Sequence, residues 1–499
     1  MRSIAVFSLF LLFSLSIFGQ PATTPRPPEP PKDDAPIVTK KSVTVGGNTL
    51  SYTTTTGFMP LKNATSGEVE ARIFYMAYTL DNPPKNRPLM FSFNGGPGSA
   101  SVWLHLGALG PRRAKMKDDG MFPQPPFEME DNAHTWLQQT DLVFIDPVGT
   151  GYSRAAKPEL ASKYFGVNGD VESVGEFIRL YLGRNERWLS PLFLVGESYG
   201  TTRAAGLSNW LFDRGIALNG ICLVSTVLNF QSIRFAENND MPLVMIFPSY
   251  TATAWYHKRL PAQHQSKSIT QVTEESRRWA ANVYMPAMLR MEQLSEKERN
   301  DLAATYSAYS GLPTDFVIRN NFRVDLGEFQ KELLRSERRS VGRLDSRFKG
   351  IDRDAAGNGP DSDPSMNAIR PPYTAVFNAY VRGELGYKSD VEYYILGGGI
   401  TSPWNWNVSN GYADTSMTLK DAMAKNPYMK VWLSQGYYDM ATPFFAAEYT
   451  VSAMNLDPTL RRNVSITYYE GGHMMYIDVR EHKKLYEDAA RFIASSLSR

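Results

Sequence analysis

The chain has one cysteine, Cys222, among 499 residues, so no intrachain disulfide can form and no cysteine-rich zinc or iron–sulfur site can be built. An excess of charge of one sign is missing too: 53 Lys and Arg stand against 51 Asp and Glu, a formal net charge of +2. That balance argues against a dedicated nucleic-acid binder, which would carry a basic excess on one face. Histidine is scarce, with six in all. No internal repeat is visible at any period. What is present is 42% hydrophobic and 21% charged residues, enough to build a sizeable core and too apolar for a disordered chain. Length alone allows one large domain or two to three ordinary ones.

The longest apolar run is Ile4–Phe18, preceded by Met1-Arg2-Ser3 and followed by Gly19-Gln20. One positive charge, an apolar stretch and a small-residue break read as a secretory signal over 1–19. The run is shorter than the ~20 residues a membrane span needs, and no cysteine follows the break to take a lipid, so no stable membrane anchor is expected. Residues 20–36 are Pro-rich and have little to bury, as in an extended linker. Export is expected, to a bacterial periplasm or exterior, because an exported chain this large without disulfides suits that route better than a eukaryotic one.

Residues 42–56 and 69–80 alternate β-branched or aromatic residues with polar ones, as paired antiparallel strands do. Short continuous apolar runs follow at Leu89–Phe93, Leu142–Ile145, Leu192–Val195 and Ile221–Val224, the pattern of parallel strands buried on both faces. Helical patterns at about 170–188 and 200–214 lie among them, a βαβ rhythm that predicts an open α/β sheet. From 231 to 390 the chain turns mostly helical and charged. Strand patterns then return at Met429–Leu433 and Val464–Tyr469, and a last amphipathic helix covers about 480–497. An insertion inside one sheet domain is the economical reading: 37–230 and 391–499 form the core and 231–390 a cap.

Gly196-Glu197-Ser198-Tyr199-Gly200 sits directly after one strand pattern and before a helical one. G-x-S-x-G at such a junction is a nucleophile elbow, where a tight turn lifts the serine hydroxyl. Chance alone supplies about 0.1–0.2 matches in a chain this long, so the strand–helix context carries the assignment. A serine nucleophile needs a base and the base an orienting acid, following the serine in the order acid, then histidine. Only His473 and His482 come late enough. His473 follows a strand and the turn Glu470-Gly471-Gly472, whereas His482, beside Lys483 and Lys484 in a helix pattern, is expected on the solvated surface. Asp439, just past the strand near 429–433, is the candidate acid; on its own it reads equally as a turn or helix-cap residue. The oxyanion hole is expected from the Tyr199 backbone N–H and an early loop, for which Asn94-Gly95-Gly96-Pro97-Gly98 is placed. Neither segment has the spacing of a P-loop or dinucleotide fingerprint, and no cofactor or metal is expected.

Asn94–Ser99, Asp146–Ser153, Gly196–Gly200, Gly436–Pro443 and Gly472-His473-Met474, in this order, resemble the motifs of the serine carboxypeptidase family. The resemblance implies an α/β-hydrolase fold with a mostly parallel central sheet and an inserted, largely helical cap. It implies Ser198 as nucleophile, His473 as base, Asp439 as its acid, and Gly96 and Tyr199 as the oxyanion hole. It also implies that Asn94 and Glu197, with Gly95 and Met474 beside them, receive the free carboxylate of a peptide or protein C-terminus. Glu197 must then be protonated, or like charges repel. Family members often carry a second glutamate where this chain has Ala108, before Leu109-Gly110-Pro111. The shared-proton pair is therefore missing, and Arg112 or Arg113 is the candidate to neutralise the substrate, with surface charge as the competing reading.

The expected function is a serine-type carboxypeptidase acting through an acyl-enzyme on Ser198. The alternative is an acyltransferase or esterase using the same triad; a non-catalytic binding protein fits poorly with all three triad residues in place. Three weaker patterns remain. Asp352, Asp354, Asn358, Asp361 and Asp363 with Gly357 loosely resemble a calcium loop, but a solvated loop fits better. Trp404 and Trp406 read as aromatic packing ahead of a substrate pocket, and Asn63, Asn407 and Asn463 lie in N-x-S/T sequons.

Overall fold

A computed structural model describes residues 35–409 and 411–498; the expected leader over 1–19 and all but the end of the linker over 20–36 lie outside them. The chain enters through three antiparallel strands, β1 (Ile37–Val45), β2 (Asn48–Lys62) and β3 (Val69–Leu80). The alternating stretch 42–56 is thus two strands rather than one. Gly46 and Gly47, at φ 57° and 82°, turn the chain back, a conformation open to glycine without steric cost.

Six strands follow: β4 (Leu89–Phe93), β5 (Asp141–Ile145), β6 (Leu192–Glu197), β7 (Gly220–Val224), β8 (Lys430–Gly436) and β9 (Val464–Tyr469). They are mutually parallel, and the sheet order is β1-β2-β3-β5-β4-β6-β7-β8-β9, with Arg154–Ala155 pairing on β3 as a tenth strand. Successive side chains in these strands serve different cores. Phe91, Val143, Ile221 and Leu433 point into one apolar cluster, and Met90, Phe144, Cys222 and Trp432 into the other. Burial on both faces explains why the strands read as unbroken apolar runs.

One face is covered by α1 (Val167–Arg184), α2 (Tyr199–Phe212) and, far along the chain, Ser416–Lys425. The other is covered by Pro364–Gly383 and Val479–Leu497. Between β7 and Val341 the helices build a cluster of their own around Met241–Tyr256, which is buried from Pro242 to Ala254. That helix is apolar on every side, unlike the charged helices after it, as a helix enclosed by others must be. Within the stretch 231–390, then, the helices up to Val341 share one cluster, while Pro364–Gly383 packs on the sheet. Among the described residues no helix is long and apolar enough to cross a membrane.

Candidate active site

Ser198 follows β6 at the carboxyl edge of the sheet with φ 61° and ψ −131°, a region costly for a residue bearing a Cβ. Its conformation is held from both sides: its N–H donates to Val224 O at 3.0 Å, and its carbonyl accepts from Thr201 N at 2.8 Å. Close approach makes glycine necessary nearby. A Cβ on Gly196 would fall 2.2 Å from Gly200 O, and one on Gly95 would fall 2.4 Å from Tyr199 N. The loop expected to supply the second oxyanion donor therefore lies directly against the amino end of α2.

That loop is fastened by buried polar groups. Arg203 of α2 donates to Asn94 O at 2.6 Å and to Asp170 Oδ2 at 2.8 Å, and Asp170 also accepts from the Tyr199 hydroxyl at 3.1 Å. Past the loop, Asp146 Oδ1 accepts both the N–H and the hydroxyl of Ser101 at 2.8 Å. Burial raises the Asp146 carboxyl to about 6 against these bonds. Asp170 and Arg203 had no sequence signal of their own; they meet only because α1 and α2 pack side by side.

Asp439 and His473 stand beyond β8 and β9, and the structure brings them into direct contact, Nδ1 to Oδ2 at 2.7 Å. Asp439 is fully buried. Its Oδ1 accepts from Ala441 N at 2.8 Å and Thr442 N at 3.0 Å, and its Oδ2 from Thr442 Oγ1 at 2.7 Å. The Asp439 oxygen facing Nδ1 accepts the ring N–H there, which leaves Nε2 with the lone pair. Burial pushes the His473 pKa down, but the carboxylates of Asp439 and Glu197 outweigh it and the net shift is upward. The His473 backbone is tied at both ends, its N–H to Leu344 O and its carbonyl to Ser225 Oγ, each at 2.6 Å.

Glu197, beside the serine, is buried and its carboxyl is raised to about 7. Desolvation is the main cause, partly offset by His473 and by hydrogen bonds from Tyr476 and Asn94. The Tyr476 hydroxyl donates to Glu197 Oε2 at 2.5 Å. Asn94 turns its Oδ1 to Leu104 N at 3.1 Å, so its NH₂ faces Glu197 and Tyr476. Tyr476 was not among the expected site residues. It lies 279 positions from Glu197, and only its place three residues after His473 could have drawn notice.

Several expectations are corrected. His482 is not on the surface: it is fully buried, with Nε2 bonded to Ala108 O and Nδ1 to Arg113, each at 3.0 Å. It falls on the inner face of the last helix with Leu485, Ala489 and Ile493, a spacing that the neighbouring lysines obscured. Arg112 is paired with Asp131 and Glu384, and Arg113 is held by His482, Glu130 and the Tyr476 carbonyl. Both guanidiniums are thus engaged by protein partners, and the buried Nε of each has no hydrogen bond. Ala108 is fully buried in the turn His105–Leu109, and Met474 is buried in the apolar cluster beneath the histidine loop. Asp354, Asn358 and Asp361 are exposed as a solvated loop requires, but Asp352 is buried, bonded at Oδ2 by buried Lys331 at 2.6 Å, which also bonds Asp354 O at 2.5 Å. Trp404 and Trp406 pack edge-on against the Tyr199 ring at 5.4 and 6.1 Å.

An elbow serine, a buried acid–histidine pair and a mostly parallel sheet carrying all three at its carboxyl edge define an α/β-hydrolase. A solved structure of that fold, a prohormone-processing carboxypeptidase from Saccharomyces cerevisiae, is similar over 89% of this chain and 92% of its own, with TM-score 0.55 at 15% identity. The family model described as serine carboxypeptidase matches residues 46–485, and the chain belongs to that family. Relatives from Arabidopsis thaliana include serine carboxypeptidase-like 7, 28% identical over 197 residues, and serine carboxypeptidase-like 8, 30% identical over 139. These matches cover 39% and 27% of this chain and span only 40% and 30% of the two relatives.

Proposed function

We propose that the protein is a serine-type carboxypeptidase that removes residues from peptide or protein C-termini. The observation that carries this reading is the buried Glu197 carboxyl beside Asn94, bonded by the Tyr476 hydroxyl and one residue from Ser198. A carboxyl group kept neutral to about 7 can donate a hydrogen bond to a carboxylate, which an ionised one would repel. In this reading Ser198 Oγ attacks the carbonyl of the terminal peptide bond while His473 Nε2 takes its proton. The backbone N–H groups of Gly96 and Tyr199 receive the oxyanion, and Asp439 stabilises the imidazolium. His473 then protonates the departing amino acid, and water repeats the sequence on the acyl-enzyme. Gly95 lets the loop approach the amino end of α2, and Met474 beside His473 is proposed to border the carboxylate site. Of the stretch 231–390, the helices up to Val341 are proposed as a cap that closes the leaving-group side, and the leader pattern over 1–19 supports export.

The test is hydrolysis of a blocked dipeptide, its C-terminal amide and a simple ester between pH 4 and 8. The free acid is expected to be the best substrate, with KM rising above pH 7 as Glu197 ionises and kcat falling at low pH as His473 gains a proton. Ser198→Ala should lose all turnover. Turnover of the ester alone would point to an esterase and overturn the proposal.

A further inference from the structure

Asn94, Tyr476 and Glu197 form a buried polar cluster beside the serine. The Leu104 backbone N–H can only donate, so the atom of Asn94 that faces it at 3.1 Å is the amide oxygen. The Asn94 NH₂ is thereby the end within reach of the Tyr476 hydroxyl and of Glu197. The Tyr476 hydroxyl donates to Glu197 Oε2 at 2.5 Å. A neutral carboxylic acid accepts better at its carbonyl oxygen than at its hydroxyl oxygen. The bond from Tyr476 therefore marks Oε2 as the carbonyl oxygen.

We infer that Tyr476 is a positioning residue for Glu197, whose phenol holds Oε2 so that the single proton of the carboxyl group stays on Oε1 to meet the substrate's carboxylate. The inference rests on the carboxylate-binding role proposed for Glu197. The groups facing Glu197 are His473, Asp439, Asn94, Tyr476 and Tyr373, with Arg113 behind the last. Of the two phenols, only that of Tyr476 is bonded to the carboxyl group. The ring of Tyr476 lies against Gly107, where a Cβ would fall 2.4 Å from its edge. Burial keeps the phenol protonated throughout the working range, so the donor does not titrate away. One consequence separates this site from a pair of carboxyl groups sharing a proton: recognition of the free acid should follow a single titration.

The experiment compares the pH dependence of KM for a blocked dipeptide with that for its ester, in the wild-type protein and in Tyr476→Phe, between pH 5 and 9. In the wild type, KM for the free acid should rise about tenfold per pH unit above the Glu197 midpoint, a one-proton slope. Tyr476→Phe removes a donor that favours the ionised form, so the midpoint should move up by about one unit. KM for the free acid below the midpoint should also rise, and by a larger factor than KM for the ester. The midpoint can be read without turnover, from the melting temperature against pH referenced to Glu197→Gln. An unmoved midpoint in folded Tyr476→Phe, a two-proton slope in the wild type, or equal losses on acid and ester would overturn the role of Tyr476. If the wild type shows no pH-dependent preference for the acid, the carboxylate reading of Glu197 fails first and takes the inference with it.

Discussion

Glu197 carries a charge-bearing group where charge is disfavoured, and its effect on stability has a definite sign. Burial lifts its carboxyl from 4.5 to about 7. Between those values the folded state holds a proton that the unfolded state has released, so stability falls as pH rises and the full cost stands above 7. A shift of that size corresponds to about 3 kcal/mol. Glu197→Gln keeps an acceptor for Tyr476 but cannot ionise. Its melting temperature should match the wild type near pH 4.5 and exceed it by several degrees at pH 8, in step with that energy. Equal melting temperatures at both pH values would show that the carboxyl ionises freely in the folded protein. Free-acid recognition by this variant should lose its dependence on pH, so stability and specificity trade against each other at one residue.

Among the elements, the segment leaving the cap cluster does more than connect. Met440 N donates to Arg343 O at 3.1 Å and Ser346 N to Tyr438 O at 3.0 Å, while His473 N and Gly472 N donate to Leu344 O and Asp345 Oδ2 at 2.6 and 3.2 Å. One short stretch is thus stitched to both the acid loop and the histidine loop. Buried Arg347 completes the clamp, bonding Asp345 at 2.7 Å and Asp478 at 3.2 Å, and Asp478 caps the final helix. Arg347→Met would leave buried Asp345 without its cation and Asp478 with Arg480 alone, a loss of about 3–5 kcal/mol. If the clamp sets the His473 loop, kcat should also drop about tenfold or more well below the melting point. An unchanged kcat in the folded variant would confine Arg347 to stability. Little of this was legible in the sequence. The elbow, the strand ends and the order serine, acid, histidine are local patterns, and they led to Ser198, Asp439 and His473. Asp345, Arg347 and Tyr476 earn their places only through contacts between distant segments, which no local spacing records. His482 lay between these cases: its helical register was readable, but its charged neighbours suggested the wrong face.

On the scale of the whole molecule, the lone Cys222 is fully buried and no disulfide can brace the cap, so packing must join cap and sheet. Met440 and Ala446, from the acid loop and the helix after it, belong to the cap's apolar cluster. A second small cluster joins Ala252 and Ile269 of the cap helices with Tyr437, Tyr438 and Phe444 around the acid. With apolar surface and the Arg343–Arg347 stitches shared, the cap cannot detach without exposing the residues that flank Asp439. Unfolding should therefore be cooperative across both parts. In a urea titration, loss of ester turnover, far-ultraviolet circular dichroism and tryptophan fluorescence should share one midpoint, because Trp255 and Trp279 report the cap while Trp136 and Trp432 report the sheet. Adding a reductant should leave that midpoint unchanged. A fluorescence transition that runs ahead of the loss of turnover would show the cap opening alone, and the acid loop would then have to be held by the sheet without it.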